Sequence, residues 1–256
     1  MSHTLLPVVL TALGVGCSTV IGALIGFSAK KITHRFQDIT LAFAAGVMLA
    51  AAVIGLIMPS LEEGNPWSIL ITVAGIFCGA LTVHLIDRLV PHLHSLAGND
   101  KEKHPEQMAR FNQVMLFVMA IAIHNFPEGI AAGVGFGGEN IENAFVIAGG
   151  IALQNIPEGM VIIAPMLSAG ISKKRTLLLA ISTGVVEVIG TLIGYFAVSI
   201  SVTILPFALA FAGGTMLYVI SDEMIPETHA HGSEQGATYS LLVGFCLMLA
   251  VSFFLG

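Results

Sequence analysis

Three glutamates, Glu128, Glu158 and Glu187, sit near the middle of three successive apolar stretches. An ionised carboxylate at the centre of a bilayer costs roughly 2.5–3.5 kcal/mol on insertion scales, and more by other measures. It therefore needs a cation beside it. The stretches that carry these glutamates contain no Lys or Arg, so a proton or a metal ion has to fill that role. The wider composition agrees that the solvent is lipid. Of 256 residues, 55% are hydrophobic and only 10% charged, and the mean hydropathy is +0.90. Soluble domains carry about 25% charged residues.

Stretches of about 20 apolar residues cross a hydrocarbon core about 30 Å thick. Eight spans are expected, at about Leu5–Ala29, Ile39–Leu61, Trp67–Ile86, Asn112–Phe136, Asn143–Ala169, Thr176–Ser199, Val202–Ile225 and Tyr239–Leu255. Little more than Ser199-Ile200-Ser201 separates the sixth from the seventh. The chain reads as a single transmembrane domain over 1–256. Spans one to three occupy 1–88, a cytoplasmic loop 89–111, spans four and five 112–169, and spans six to eight 170–256.

The basic residues set the topology. All fall in the connections after spans one, three and five: Lys30, Lys31 and Arg35; Arg88, Lys101, Lys103 and Arg110; Lys173, Lys174 and Arg175. Glu62, Glu63, Glu139 and Glu142 take the opposite side. The positive-inside rule then puts the basic face in the cytoplasm and both termini outside. Met1-Ser2-His3-Thr4 lacks the basic n-region of a cleavable signal, so an N-out anchor is expected. Cys17, Cys78 and Cys246 lie singly in apolar spans and form no CxxC, which speaks against a disulfide framework or a thiolate metal site. A net charge of −6 argues against a nucleic-acid partner.

Two repeats organise the spans. His124-Asn125-Phe126-Pro127-Glu128-Gly129 in span four is echoed by Gln154-Asn155-Ile156-Pro157-Glu158-Gly159 in span five. Phe43-Ala44-Ala45-Gly46-Val47-Met48-Leu49 in span two is echoed by Phe211-Ala212-Gly213-Gly214-Thr215-Met216-Leu217 in span seven. Prolines follow each after nearly the same interval, Pro59 and Pro226. Spans two and seven run in opposite directions, so the second repeat is inverted, a pattern shared by many secondary transporters. Small residues also recur in membrane helices simply for close packing.

Residues four apart share a helix face, so His124 aligns with Glu128 and Gln154 with Glu158. Proline lacks an N–H and disrupts the bond to the carbonyl four residues earlier, here Ile123 and Leu153. A freed carbonyl in hydrocarbon is tolerated where it lines a cavity or finds a partner. Imidazole, amide oxygens and carboxylates without sulfur suit Zn²⁺, Fe²⁺ and Mn²⁺ and disfavour Cu(I). Three neutral amides and no thiolate favour binding weak enough to release. The bland alternative is that the glutamates are protonated ties between helices. His84 and Asp87, ending span three, read as interface residues, and Met48 and Met216 as packing. His92, His94 and His104 lie in the loop after span three, and Asp222, Glu223, Glu227, His229, His231 and Glu234 cluster at the cytoplasmic end of span seven. They are either solvated polar segments or weak exit and regulatory metal sites.

On these motifs the chain resembles the ZIP (Zrt-, Irt-like protein) family of divalent-metal transporters, particularly its bacterial zinc-uptake branch. The resemblance implies an all-α membrane protein of eight helices in a 3+2+3 arrangement, with helices 1–3 and 6–8 related by inversion. It implies a homodimer in the cell (inner) membrane, importing zinc as transported substrate, with iron, manganese, cobalt or cadmium also accepted, and no catalytic cofactor. One metal position would use His124, Glu128, Gln154 and Glu158. An adjacent one would use Asn125, Asn155 and Glu187, bridged by Glu128 and Glu158. Gln154 departs from the second histidine that many relatives carry. The moving part implied is the two-helix centre, sliding as an elevator against a dimeric scaffold. A metal-gated channel or receptor, and an intramembrane metallohydrolase, are the competing readings. The hydrolase would need an open coordination position and a spare general base, and the chain has no His-Glu-x-x-His.

Overall fold

A computed structural model describes the chain except residues 1, 29–32, 62–66, 98–104, 138–140, 169, 201 and 256. It also leaves out the side chains of 2–4, 87, 89–97, 105–118, 120 and 202. His92 and His94, and the loop charges at 30–31, 62–63, 101–104 and 139, thus fall outside the described side chains.

The protein is a bundle of long helices: α1 (Ser2–Ser28), α2 (His34–Leu61), α3 (Ser68–Ala97), α4 (Pro105–Gly135), α5 (Ile141–Ser168), α6 (Lys173–Ile200), α7 (Leu205–Thr228) and α8 (Glu234–Leu255). Among the described residues, seven are long and apolar enough to cross a membrane; α4 is the remaining long helix. Helices satisfy every backbone group within the segment, which hydrocarbon demands. The protein is therefore a multi-pass membrane protein. Its exterior is apolar, with Trp67, Phe77, Ile200 and Phe253 exposed, while Glu128, Glu187, Asn125, Asn155 and Gln154 are buried. Met48 and Met216 are fully buried in one apolar core, as packing residues.

Each expected span coincides with a helix, but several ends differ. The helix of span three continues well past Ile86 to Ala97. A short 3-10 turn, Val202–Ile204, separates α6 from α7, and α7 starts at Leu205 because Pro206 suits the first helical turn. At the other end α7 passes through Pro226. There the backbone widens over Ile220–Met224 into a π segment, in which the Ile225 N–H reaches back to the Ile220 carbonyl. The same happens in α2 over Ala51–Ile57, just ahead of Pro59, where the Met58 N–H reaches the Val53 carbonyl. A proline ring collides with the carbonyl four residues earlier, and the wider turn accommodates it. In contrast, α4 and α5 continue as α-helix through Pro127 and Pro157.

The closest pairings are α4 with α6, α1 with α5, α3 with α7 and α2 with α8, followed by α2 with α7 and α1 with α6. Glycine makes these approaches close. A Cβ at Gly46 would overlap the Leu241 carbonyl, and one at Gly214 the Ile76 carbonyl. The cap of α2 is Thr33, whose hydroxyl accepts the Phe36 N–H at 3.2 Å. The turn between α7 and α8 uses Gly232 at φ 81°, a left-handed conformation that favours glycine.

Candidate metal centre

Helix α4 presents His124, Asn125 and Glu128 to the interior, α5 presents Gln154, Asn155 and Glu158, and α6 contributes Glu187. All but the half-buried His124 are buried. Glu128 lies within electrostatic reach of Glu158 and Glu187, and Glu158 within reach of His124 and Glu187. The fold thus gathers the three carboxylates and the two motif repeats at one place. None of the three faces lipid.

Few of their polar atoms are paired. Asn155 donates through Nδ2 to both Glu187 oxygens, at 2.7 and 2.8 Å, and to the Val15 carbonyl of α1 at 3.2 Å. Both oxygens of Glu128, both amide atoms of Asn125 and of Gln154, and Oδ1 of Asn155 are buried without a hydrogen-bond partner. The Gln154 amide lies beside Glu128 without meeting hydrogen-bond geometry. A buried unsatisfied polar atom costs about 1–3 kcal/mol, more when charged. So many together define a place prepared for a polar or ionic occupant. Among the described residues no three His, Cys, Asp or Glu side chains converge closely enough to hold an ion by themselves. The amide oxygens of Asn125, Gln154 and Asn155 are buried there without a hydrogen-bond partner and are further candidate ligands.

His124 faces a different partner from the one its spacing suggests. Its Nε2 lies 2.6 Å from Glu223 Oε1 of α7. Both residues line a cavity of about 480 Å³ with Glu158, Asp222 and Glu227, bounded by Leu41 of α2 and Ala230 beyond α7. The cavity thus joins Glu158 to the end of the bundle where α2 begins and α7 ends. Of the residues expected at this end, Asp222 and Glu223 line the cavity. His229 instead has partners on α7 and α8, and His231 on α2. His229 contacts the Ile225 carbonyl at 2.8 Å and Thr238 Oγ1 at 3.2 Å. His231 Nδ1 lies 3.0 Å from Asp38 Oδ1, and its ring stacks on His34 at 4.9 Å. His84 pairs with Tyr218 at 2.9 Å, tying α3 to α7. The three cysteines are free and exposed.

Sequence reasoning missed two buried groups. Asp38 is 2% exposed, although it directly precedes the apolar run of span two. Thr19 of α1 is fully buried, its carbonyl against Gly159, in a span that carries no charged residue to draw attention to it.

A membrane bundle with a carboxylate–amide centre in its interior and an acid-lined cavity leading from it has the anatomy of an ion carrier. Comparison with known proteins gives that anatomy a family. The ZIP Zinc transporter family model matches residues 87–252. The chain is 38% identical to the zinc transporter GufA of Myxococcus xanthus, covering 94% of this chain and 96% of that one. It is 36% identical to the zinc transporter ZIPB of Bordetella bronchiseptica, covering 93% and 78%, and 35% identical to the zinc transporter ZupT of Chlorobaculum parvum, covering 100% and 99%. The chain belongs to the ZIP zinc transporter family, and its bacterial relatives span nearly all of it.

Proposed function

We propose that this protein imports divalent metal ions, zinc foremost, across the cell membrane through the centre formed by His124, Asn125, Glu128, Gln154, Asn155, Glu158 and Glu187. The observation that carries the reading is the burial of three neighbouring carboxylates on spans that contain no Lys or Arg. A passing cation supplies the charge that the polypeptide withholds. Glu128 and Glu158 are its central ligands, and the amides offer neutral oxygens that let it go. Glu223 meets the ion as it leaves His124, and Asp222 and Glu227 line the way out. Inward is the direction implied by the likeness to the bacterial zinc-uptake branch.

The ion's selectivity rests on Gln154, a neutral oxygen where an imidazole would bind zinc more tightly. Iron, manganese, cobalt and cadmium are accordingly accepted beside zinc. Competition of these metals against labelled zinc in proteoliposomes tests this. Gln154→His is expected to lower the zinc KM by about tenfold, the lower end of what a metal-site partner commands, and to weaken competition by manganese. Saturable uptake absent from the wild-type chain would refute the function. An unchanged KM in the variant would refute the role of Gln154.

A 3+2+3 inverted architecture is supported by several recurrences. Exchanging α1 with α6, α2 with α7, α3 with α8 and α4 with α5 maps the close pairings onto one another: α1–α5 onto α6–α4, and α3–α7 onto α8–α2. The sequence interval separating Phe43 from Phe211 also separates Gly16 from Gly184, which pack against each other. It also superposes the π segments of α2 and α7. The pairings further sort α1, α4, α5 and α6 into one group and α2, α3, α7 and α8 into another, which suits a moving unit and a scaffold. In this reading the elevator is larger than the two-helix centre that the resemblance implied, because α1 and α6 pack on α5 and α4 and travel with them, and the scaffold forms the homodimer.

Both termini are read as outside, because Arg35 and Lys173–Arg175 open α2 and α6, and an N-out first span brings both of those helix starts to the cytoplasmic face. Sided labelling of a cysteine introduced at each terminus is expected to proceed from the outside without permeabilisation. Labelling only after permeabilisation would reverse the orientation.

A further inference from the structure

Thr19 of α1 is fully buried, and its hydroxyl has no hydrogen-bond partner. Other buried helical threonines behave differently. Thr183, Thr191 and Thr215 each return the hydroxyl to a carbonyl three or four residues earlier, at 2.6 to 3.0 Å. For Thr19 the carbonyl four residues earlier is Val15, and that oxygen accepts Asn155 Nδ2 at 3.2 Å. A carbonyl offers two lone pairs. The helical N–H takes one and Asn155 the other, which leaves none there for the Thr19 hydroxyl, and the Gly16 carbonyl three residues earlier does not hold it either. A hydroxyl without a partner in an apolar interior is costly.

Its position relative to the centre follows from the backbone. The Thr19 carbonyl lies against Gly159, where a Cβ would overlap it, just as the Glu187 carbonyl lies against Gly129. Each glycine directly follows a motif glutamate. The interval that relates Gly16 to Gly184 also relates Thr19 to Glu187. Thr19 thus stands to Glu158-Gly159 as Glu187 stands to Glu128-Gly129. It also shares the α1 face of Val15, which Asn155 holds.

Building on the metal centre read above, we propose that Thr19 is a further residue of that centre, its hydroxyl supplying from α1 a neutral oxygen where Glu187 supplies a charged one from α6. The related positions of the two halves then differ in charge. The ion meets three carboxylates and not four, which keeps it releasable.

Zinc uptake into proteoliposomes holding Thr19→Val, Thr19→Ser and Thr19→Ala tests the assignment, with Glu128→Ala/Glu158→Ala run alongside and thermal stability read for each. Thr19→Val keeps the shape and removes the oxygen. It is expected to raise the zinc KM by about tenfold, Thr19→Ala likewise, and Thr19→Ser to restore a near wild-type value. A hydroxyl that only packs predicts the reverse: Thr19→Val gains stability and keeps its KM. That result, with the glutamate pair inactive, overturns the role of Thr19 alone. If the glutamate pair transports at the wild-type rate, the centre falls and Thr19 falls with it. Should Thr19→Val not assemble, Thr19→Ala against Thr19→Ser decides by the same comparison of KM.

Discussion

Cells expressing the chain with Glu128→Ala and Glu158→Ala together are expected to take up zinc no faster than cells without it. Glu128 is 1% exposed and Glu158 9%, and they lie within electrostatic reach of each other and of Glu187. Losing even an outer partner of a metal ligand costs about 10–100-fold in affinity or activity. Losing both central ligands therefore removes measurable transport. The fold should survive. Neither oxygen of Glu128 holds a hydrogen bond in the protein, and an isolated buried carboxylate costs several kcal/mol to desolvate. Removing such groups leaves fewer unpaired charges behind. Normal membrane abundance with no uptake is thus the signature of a lost binding centre. Wild-type rates would refute the assignment.

Gly159→Ala is expected to damage the assembly, not the chemistry. A Cβ there would overlap the Thr19 carbonyl oxygen and come within 2.9 Å of the Thr19 carbonyl carbon and 3.0 Å of the Ala23 nitrogen. All three are backbone atoms of α1, so no side chain can swing aside; α1 and α5 must part. Overpacking of this kind costs about 1–3 kcal/mol and occasionally more. At about 2–4 °C per kcal/mol for a chain of this size, the upper end lowers the apparent melting midpoint in detergent by about 6–12 °C. Gly149→Ala on the same helix meets nothing within 4 Å and serves as the control. Equal midpoints for the two variants would show that α1 and α5 are not in such close contact.

What the sequence reveals here depends on how local the signal is. Span positions are local sums of hydropathy, and each expected span coincides with a helix. The gathering of Glu128, Glu158 and Glu187 was also legible, because an unpaired carboxylate in lipid has so few acceptable places to go. Helix ends were less so. The polar turns Glu234–Thr238 and Asp87–Ala97 continue the helices beyond the apolar run, so hydropathy stops counting before the hydrogen bonds do. Contacts between distant helices were not legible at all. Nothing in the spacing of α4 says that His124 would meet Glu223 of α7, or that Asp38 would be buried against His231. Thr19 is the instructive miss. Its signal was present as the interval linking the two halves of the chain. A threonine aligned with a glutamate is invisible to a search for charged residues.

Zinc retained by the purified chain is the most direct measure of the centre. Equilibrium dialysis with labelled zinc, in detergent, compares the wild-type protein with the Glu128→Ala/Glu158→Ala variant. The wild type is expected to hold zinc saturably and the variant to hold none at that centre. Equal retention by both proteins, or none by the wild type, would contradict a buried carboxylate cluster that draws its counter-charge from the transported ion.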